Sequence, residues 1–233
     1  MFASRRVAVL GGDDFRDEYS LAFDGTNDHI RVSSTTYDTD GGNVSFVFWV
    51  KRAELGEIHI IMGLQSEEYQ SRIYFSDDNK LRIEGDVNGD EAQITQNTND
   101  TEWHHWVLSV SSSVVTAYQD GVSASVANAV DEGDFTIDQI AGGGSATSLT
   151  GSISEIAIYN TNLSSSQAKV IYNGREPYNH REGIALGNLT AWWRMGDGTE
   201  SASGVTIYDM SSNSNNGTMT NMDATTDYTG DVP

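Results

Sequence analysis

The stretch Gly151-Ser-Ile-Ser-Glu-Ile-Ala-Ile-Tyr-Asn160, followed by Leu163-Ser-Ser-Ser-Gln-Ala-Lys-Val-Ile-Tyr-Asn-Gly174, decides the fold. Its first half reads as a β-strand and its second half as one short helix. Ser164 with Gln167 three positions on forms a capping box, and Gly174 supplies a left-handed stop. In the strand, Ile153 sits at an odd position whereas Ile156 and Ile158 are even, so a strict period of two cannot bury all three. A bulge near Ser154-Glu155 reconciles them and re-aims the Glu155 carboxylate. That makes Glu155 a place to look for a bound ion.

Around this unit the chain reads as strand after strand. Leu21 and Phe23 alternate, the turn Asp24-Gly-Thr-Asn-Asp28 follows, and Ile30 and Val32 resume the alternation. Val44-Ser-Phe-Val-Phe-Trp-Val50 is apolar on both faces, as a central strand covered on both sides requires. Arg72–Phe75 and Leu81–Ile83 flank the turn Asp77-Asp-Asn79. Trp106, Leu108 and Val110 share one face of a further strand, and Val114–Tyr118 opens a hairpin across Asp120-Gly121. Leu189–Met195 is another strand, and Val205–Tyr208 is a short one. The tail from Gly196 is rich in Asp, Ser, Asn, Thr and Gly, and composition alone equally allows a segment without stable structure. Many short strands with frequent turns and one helix indicate an antiparallel sandwich.

The 233 residues fit one large β-domain or two small domains. Asp plus Glu number 34 against 13 Lys plus Arg, a formal charge of −21. Such a surface argues against nucleic acid, whose phosphates need basic groups, and against anionic membranes. The acidity serves solubility, clustered cation ligation, or both. With no cysteine there is no disulfide framework, thiol nucleophile or Cys-based zinc site. No apolar run approaches membrane-spanning length. The basic start, Met1-Phe-Ala-Ser-Arg-Arg-Val-Ala-Val-Leu10, carries an apolar patch too short for a secretory signal, so synthesis and folding in a cytoplasm are expected.

Five pieces resemble the concanavalin A-like, laminin-G-like jelly-roll domains: Leu21–Ile30, Val44–Arg52, Glu102–Val107, Tyr118–Gly121 and the Gly151–Gly174 unit. Their order and spacing cover about residues 19–175. The C-terminal piece with Trp192-Trp-Arg-Met195 and Asp209-Met-Ser-Ser-Asn-Ser-Asn-Asn-Gly217 is similar to a segment that precedes the Phe-Asp-Gly strand in many relatives. Here it follows, a permuted order that closes the same sandwich. The resemblance implies an all-β, antiparallel two-sheet jelly-roll sandwich with one short helix. Residues 1–18 would be an arm, and 19–233 a single domain. It also implies a bound Ca2+ and frequently carbohydrate binding.

Calcium takes six to eight oxygens, and the resemblance brings the first turn beside the strand before the helix. The expected ligands are Asp28 and Glu155, with Asp24 as a further candidate; against this, Asp-Gly and Asn-Asp are ordinary turn formers. Relatives often carry Asp where Ser154 stands. Asp86-Val-Asn-Gly-Asp90 begins like an EF-hand loop, yet Glu91 occupies the obligatory Gly position and Asn97 the closing Glu position. His104 and His105 are neighbours on one strand and point to opposite faces, so packing is expected of them rather than a shared zinc. Laminarinase-like relatives hold catalytic acids as Glu-x-Asp-x-(x)-Glu. The nearest stretch, Ile83–Glu91, has glycines and misplaced acids, so no catalysis is expected. Trp192 and Trp193 also face opposite ways. One of them is a candidate sugar platform, unless it packs under the tail or a partner.

Fold alone does not give function. Many phage structural proteins resemble this chain, with a lone laminin-G-like domain behind an N-terminal arm. The expected function is a non-catalytic virion structural protein (head-decoration, fibre or tail-associated) that presents a lectin-like surface for glycan or host attachment. Its arm would contact other virion proteins. The alternatives are an exported carbohydrate-binding or adhesion module, and a glycoside hydrolase.

Overall fold

The structure is a computed structural model that describes residues 15–65, 70–86, 91–96, 98–127, 133–142 and 148–233. Most of the arm (1–14), residues 87–90 of the EF-hand-like stretch and Gly143-Gly144 lie outside the described residues. The first half of the chain carries β1 (Ser20–Asp24), β2 (His29–Asp38), β3 (Asn43–Arg52), β4 (His59–Gly63), β5 (Arg72–Phe75), β6 (Leu81–Glu84), β7 (Glu91–Ile94) and β8 (His104–Ser111). Then come β9 (Val114–Gln119), β10 (Val122–Ala124), β11 (Val126–Ala127), β12 (Asp134–Ile140), β13 (Thr150–Tyr159) and the helix α1 (Ser165–Tyr172). The tail adds β14 (Leu189–Trp193), β15 (Thr206–Ile207), β16 (Gly217–Thr220) and β17 (Tyr228–Thr229).

Two antiparallel sheets result. One runs β10-β9-β8-β3-β13-β1-β17, with β14 also against β13; the other runs β11-β7-β6-β5-β4-β12-β2-β16-β15. This is a jelly-roll sandwich with one short helix. Residues of the tail pair in both sheets, so its polar composition hides real strands. Met195, Ile207 and Met219 are the apolar side chains that anchor it in the core.

The main core lies between the sheets. Phe46, Phe48 and Val50 from β3 meet Ile73 and Phe75 from β5, and Phe135 from β12 packs against Phe46 at 4.9 Å. The first sheet is also covered on its outer face. Val47, Val107, Ala157, Tyr159 and Trp192 form a second apolar layer with Leu163, Ala168 and Ile171 from the helix region. This is why β3 is apolar on both faces: every residue from Val44 to Val50 is buried.

The helix has the expected start. Ser164 Oγ accepts from the Gln167 backbone N–H, and Gln167 Oε1 accepts from the Ser164 N–H at 2.9 Å. Its end differs slightly, because Asn173 (φ 50°) takes the left-handed position first and Gly174 (φ 67°) follows. Asn tolerates that conformation through its short polar side chain. On β13 the register jumps between Ser154–Trp49 and Ala157–Val47, three steps against two on β3. Glu155 sits in this bulge with φ 49°, and Ile153, Ile156 and Ile158 all reach the core.

Candidate functional site

The bulge is also where β13 changes partners. Its first half, Thr150–Ile153, pairs with β1, and its second half, Ile156–Tyr159, pairs with β14 along the same edge. The end of β14 therefore abuts the start of β1, with Glu155 between them. Glu155 is 2 % exposed. Its Oε2 accepts from Trp192 Nε1 and its Oε1 from Arg194 Nε, each at 2.6 Å. Arg194 also donates to the Asp197 carbonyl (2.8 Å), the Arg16 carbonyl (2.7 Å) and Asp17 Oδ1 (3.2 Å). Phe15 lies over the guanidinium at 4.0 Å. The Glu18 and Tyr19 amides both donate to Asp197 Oδ2. Burial, then the adjacent Glu155 carboxylate, pushes the Asp17 carboxyl far above the usual range, so Asp17 holds a proton beside Glu155. Phe15 and Asp17 thus pack onto the sandwich.

This geometry separates the expected calcium ligands. Both Glu155 oxygens are occupied by donors, one of them a guanidinium. Asp24 pairs with Thr150, five residues along β13, so it lies about 17 Å from Glu155 at the usual strand rise. Asp24 and Asp28 do sit together, but they cap their own turn. Asp28 Oδ2 accepts from the Asp24 N–H (3.1 Å) and Asp24 Oδ1 from the Thr26 N–H (2.8 Å). Burial raises the Asp28 pKa above the ordinary value. Among the described residues no three His, Cys, Asp or Glu side chains converge on a metal-sized position. The expected ligand set does not fit one calcium ion.

Both tryptophans are packed inside the protein. Trp193 faces the main core, and Trp192 lies in the outer layer beneath Phe15 (5.9 Å) and His180 (5.2 Å). Each is 1 % exposed, so neither is a sugar platform. His104 and His105 point apart as expected. His104 lies between Asp120 (2.7 Å) and Asp100 (3.0 Å), and chiefly the Asp120 hydrogen bond raises its pKa. His105 packs against Trp49 and Tyr172, and burial pushes it down to about 3.

The start of β14 borders a polar cleft of about 500 Å³. From β2 come Ser33, Thr35 and Asp38; from the first sheet come Asn160 and Thr190. The loop before β16 supplies Asn213 and Asn215. That loop is built around Asp209, which is 7 % exposed. Asp209 Oδ1 accepts from the Trp192 and Ser211 amides, and Oδ2 from Ser211 Oγ and the Asn215 amide, all within 2.8–2.9 Å. Asn215 then ties the loop to both sheets. Its Oδ1 accepts from the Ser33 N–H (3.0 Å) and its carbonyl from Trp193 Nε1 (2.9 Å). Four bonds to one buried carboxylate hold the cleft wall in one conformation. In sequence, this Asp-Met-Ser-Ser-Asn-Ser-Asn-Asn-Gly piece is noticeable only as a resemblance. The Asp-x-Ser spacing of an Asx turn is its local signal.

Residues 24–169 match the laminin G type 3 profile of the concanavalin A-like lectin/glucanases superfamily. The chain belongs to that superfamily. A search of the curated proteins finds no match. Among solved structures, the chain resembles a "putative carbohydrate binding protein" from Bacteroides ovatus, with TM-score 0.62 and 17% identity over 88% of this chain. It spans only 58% of that protein's length. The heptameric SAP-like pentraxin of Limulus polyphemus aligns with TM-score 0.52 and 13% identity, over 67% of this chain and 82% of the pentraxin. At such identities the likeness establishes the fold.

The acids at the ends of the Ile83–Glu91 stretch are held rigidly, because Glu84 and Glu91 are cross-strand partners in the β6–β7 hairpin. Each is already engaged. Arg72 Nε donates to Glu84 at 2.6 Å; Tyr74 Oη donates to Glu91 at 2.5 Å, and Arg82 lies 3.3 Å from it. Burial, with the Glu91 bond second, pushes the Tyr74 hydroxyl up to about 12, so Tyr74 stays a donor.

Proposed function

We propose that this protein is a non-catalytic carbohydrate-binding module and that the cleft bordered by Asp38, Asn160 and Thr190 is its site. The observation that carries the reading is the cleft itself. Amides and hydroxyls from both sheets and one braced loop line a space of saccharide size. Such groups hydrogen-bond sugar hydroxyls, and a wall fixed by Asp209 limits the ordering cost of binding. Superfamily membership and the likeness to the Bacteroides ovatus protein support it. The arginine and tyrosine partners of Glu84 and Glu91 favour a structural ion-pair network over an acid/base pair.

The module's setting in this proposal is a virion, docked through the N-terminal arm. Residues 15–19 join the sandwich at Arg194, about 13 Å along β14 from Thr190, so an arm leaving there and a glycan in the cleft do not compete. A glycan array with the wild-type chain and with Thr190→Leu tests binding, and retained sugar binding by Thr190→Leu refutes the site. Reducing-end release from any bound polysaccharide refutes the non-catalytic reading. Removal of residues 1–14 abolishes incorporation into particles if the virion setting is right, and normal incorporation refutes it.

A further inference from the structure

We infer that the cleft selects uncharged and amino-bearing glycans and rejects anionic ones, an inference that rests on the carbohydrate reading above. No lysine or arginine lines the cleft among the described residues. Its lining side chains are neutral amides, hydroxyls and the Tyr37 phenol except for one carboxylate, Asp38. A uronic acid, sialic acid or sulfate entering this space sheds water and finds no cation to receive its charge, which is costly. The chain's formal charge of −21 adds a field that repels anions before contact.

Asp38 gives the cleft a positive preference as well as an exclusion. Its Oδ1 accepts from the Gly41 and Gly42 amides at 2.8 and 2.9 Å, which fixes the carboxylate. Its Oδ2 has no protein donor among the described residues. A sugar hydroxyl or ammonium that donates there makes a charge-assisted hydrogen bond, roughly twice as strong as a neutral one. Among the described residues the Asn160 amide and the Ser33 hydroxyl have no side-chain partner, and they supply neutral donors and acceptors on either side. Thr190 is committed through its carbonyl, which accepts from Ser211 Oγ and Asn213 Nδ2, and so acts as a fixed wall.

The test is a glycan array, followed by titration of the full chain with a cello-oligosaccharide, a chitosan oligosaccharide and an oligogalacturonate. Neutral or amino glycans bind, and acidic ones are at least tenfold weaker. Asp38→Asn keeps an acceptor for Gly41 and Gly42 yet loses the charge, so affinity for the chitosan oligosaccharide falls about tenfold. Ser33→Lys, which adds a cation to an exposed wall position, brings oligogalacturonate binding up. Binding confined to acidic glycans and lost in Thr190→Leu overturns the inference while the carbohydrate reading stands. So does an unchanged preference in Asp38→Asn. Binding of nothing on the array overturns the carbohydrate reading and this inference with it.

Discussion

Replacing Arg194 by Met removes the cation at the junction of β1 and β14 while retaining most of the apolar stem. The guanidinium makes four hydrogen bonds, two of them to carboxylates whose side chains are 3 % and 5 % exposed. Truncating one partner of such a buried group leaves an uncompensated charge, which costs about 3–5 kcal/mol. For a chain of this size each kcal/mol lowers Tm by about 2–4 °C, so a fall of roughly 6–20 °C is expected. Urea denaturation of wild type, R194M and R194K measures the loss. R194K falls between the two, because an ammonium cannot reproduce the planar fork that reaches Glu155, Asp17 and two carbonyls at once. Adding Glu155→Gln to R194M removes the stranded carboxylate and returns part of the loss. If R194M loses under about 1 kcal/mol, the network does not hold the junction and the account of Glu155 is wrong.

The protonated Asp17 gives a pH dependence with a definite sign. Its folded pKa is raised above its unfolded value of 3.8. The associated stability is full below that value and is lost as pH rises toward the folded pKa, so the contribution of Asp17 is larger at pH 5 than at pH 9. Asp17→Asn flattens this decline in denaturation curves at the two pH values, and an unaltered slope refutes the assignment. His105 and His180 act in the other direction, since burial pushes both down to about 3. Their stability is present above the unfolded value near 6.5 and drains away as pH falls, by up to about 1.4 kcal/mol per unit for each. His105→Phe halves that acid slope; an equal slope in the variant shows that His105 is not held neutral. Asp209→Ala strands the Trp192, Ser211 and Asn215 amides, costs about 2–4 kcal/mol in urea denaturation, and abolishes binding at the cleft. A stable variant with intact binding refutes the bracing role.

Legibility in the sequence follows from where each side chain's partner lies. The helix, its capping box and the bulge rest on contacts within a few residues, and their signals in 151–174 are local. The strands of the first sheet are legible because both faces are covered and β3 is apolar on both faces between Val44 and Val50. Several strands of the second sheet are not. β4 and β7 are short, and β12 (Asp-Phe-Thr-Ile-Asp-Gln-Ile) bears polar residues on its outer face and breaks phase at its own register shift between Ile137 and Gln139. Glu155 is recognisable as unusual, but its partners Arg194 and Asp17 stand 39 and 138 residues away, beyond any spacing rule. The tryptophans' opposite directions follow from strand geometry, whereas the burial of Trp192 depends on Phe15 and His180 from two other segments. Glu84 and Glu91 become partners only once the hairpin between them closes.

The end-to-end meeting of β1 and β14 on one edge of β13 also sets how the molecule carries load. Tension applied through residues 15–19 along the strand axis reaches β1 from its first residue. It strains the four register pairs of the β1–β13 ladder together instead of peeling them open one by one. The Arg194 cluster and the Asp197 contacts stand ahead of that ladder and must yield first. A tether at this point is therefore attached at the mechanically strong end of the sheet, with β13 as the line along which force crosses the molecule.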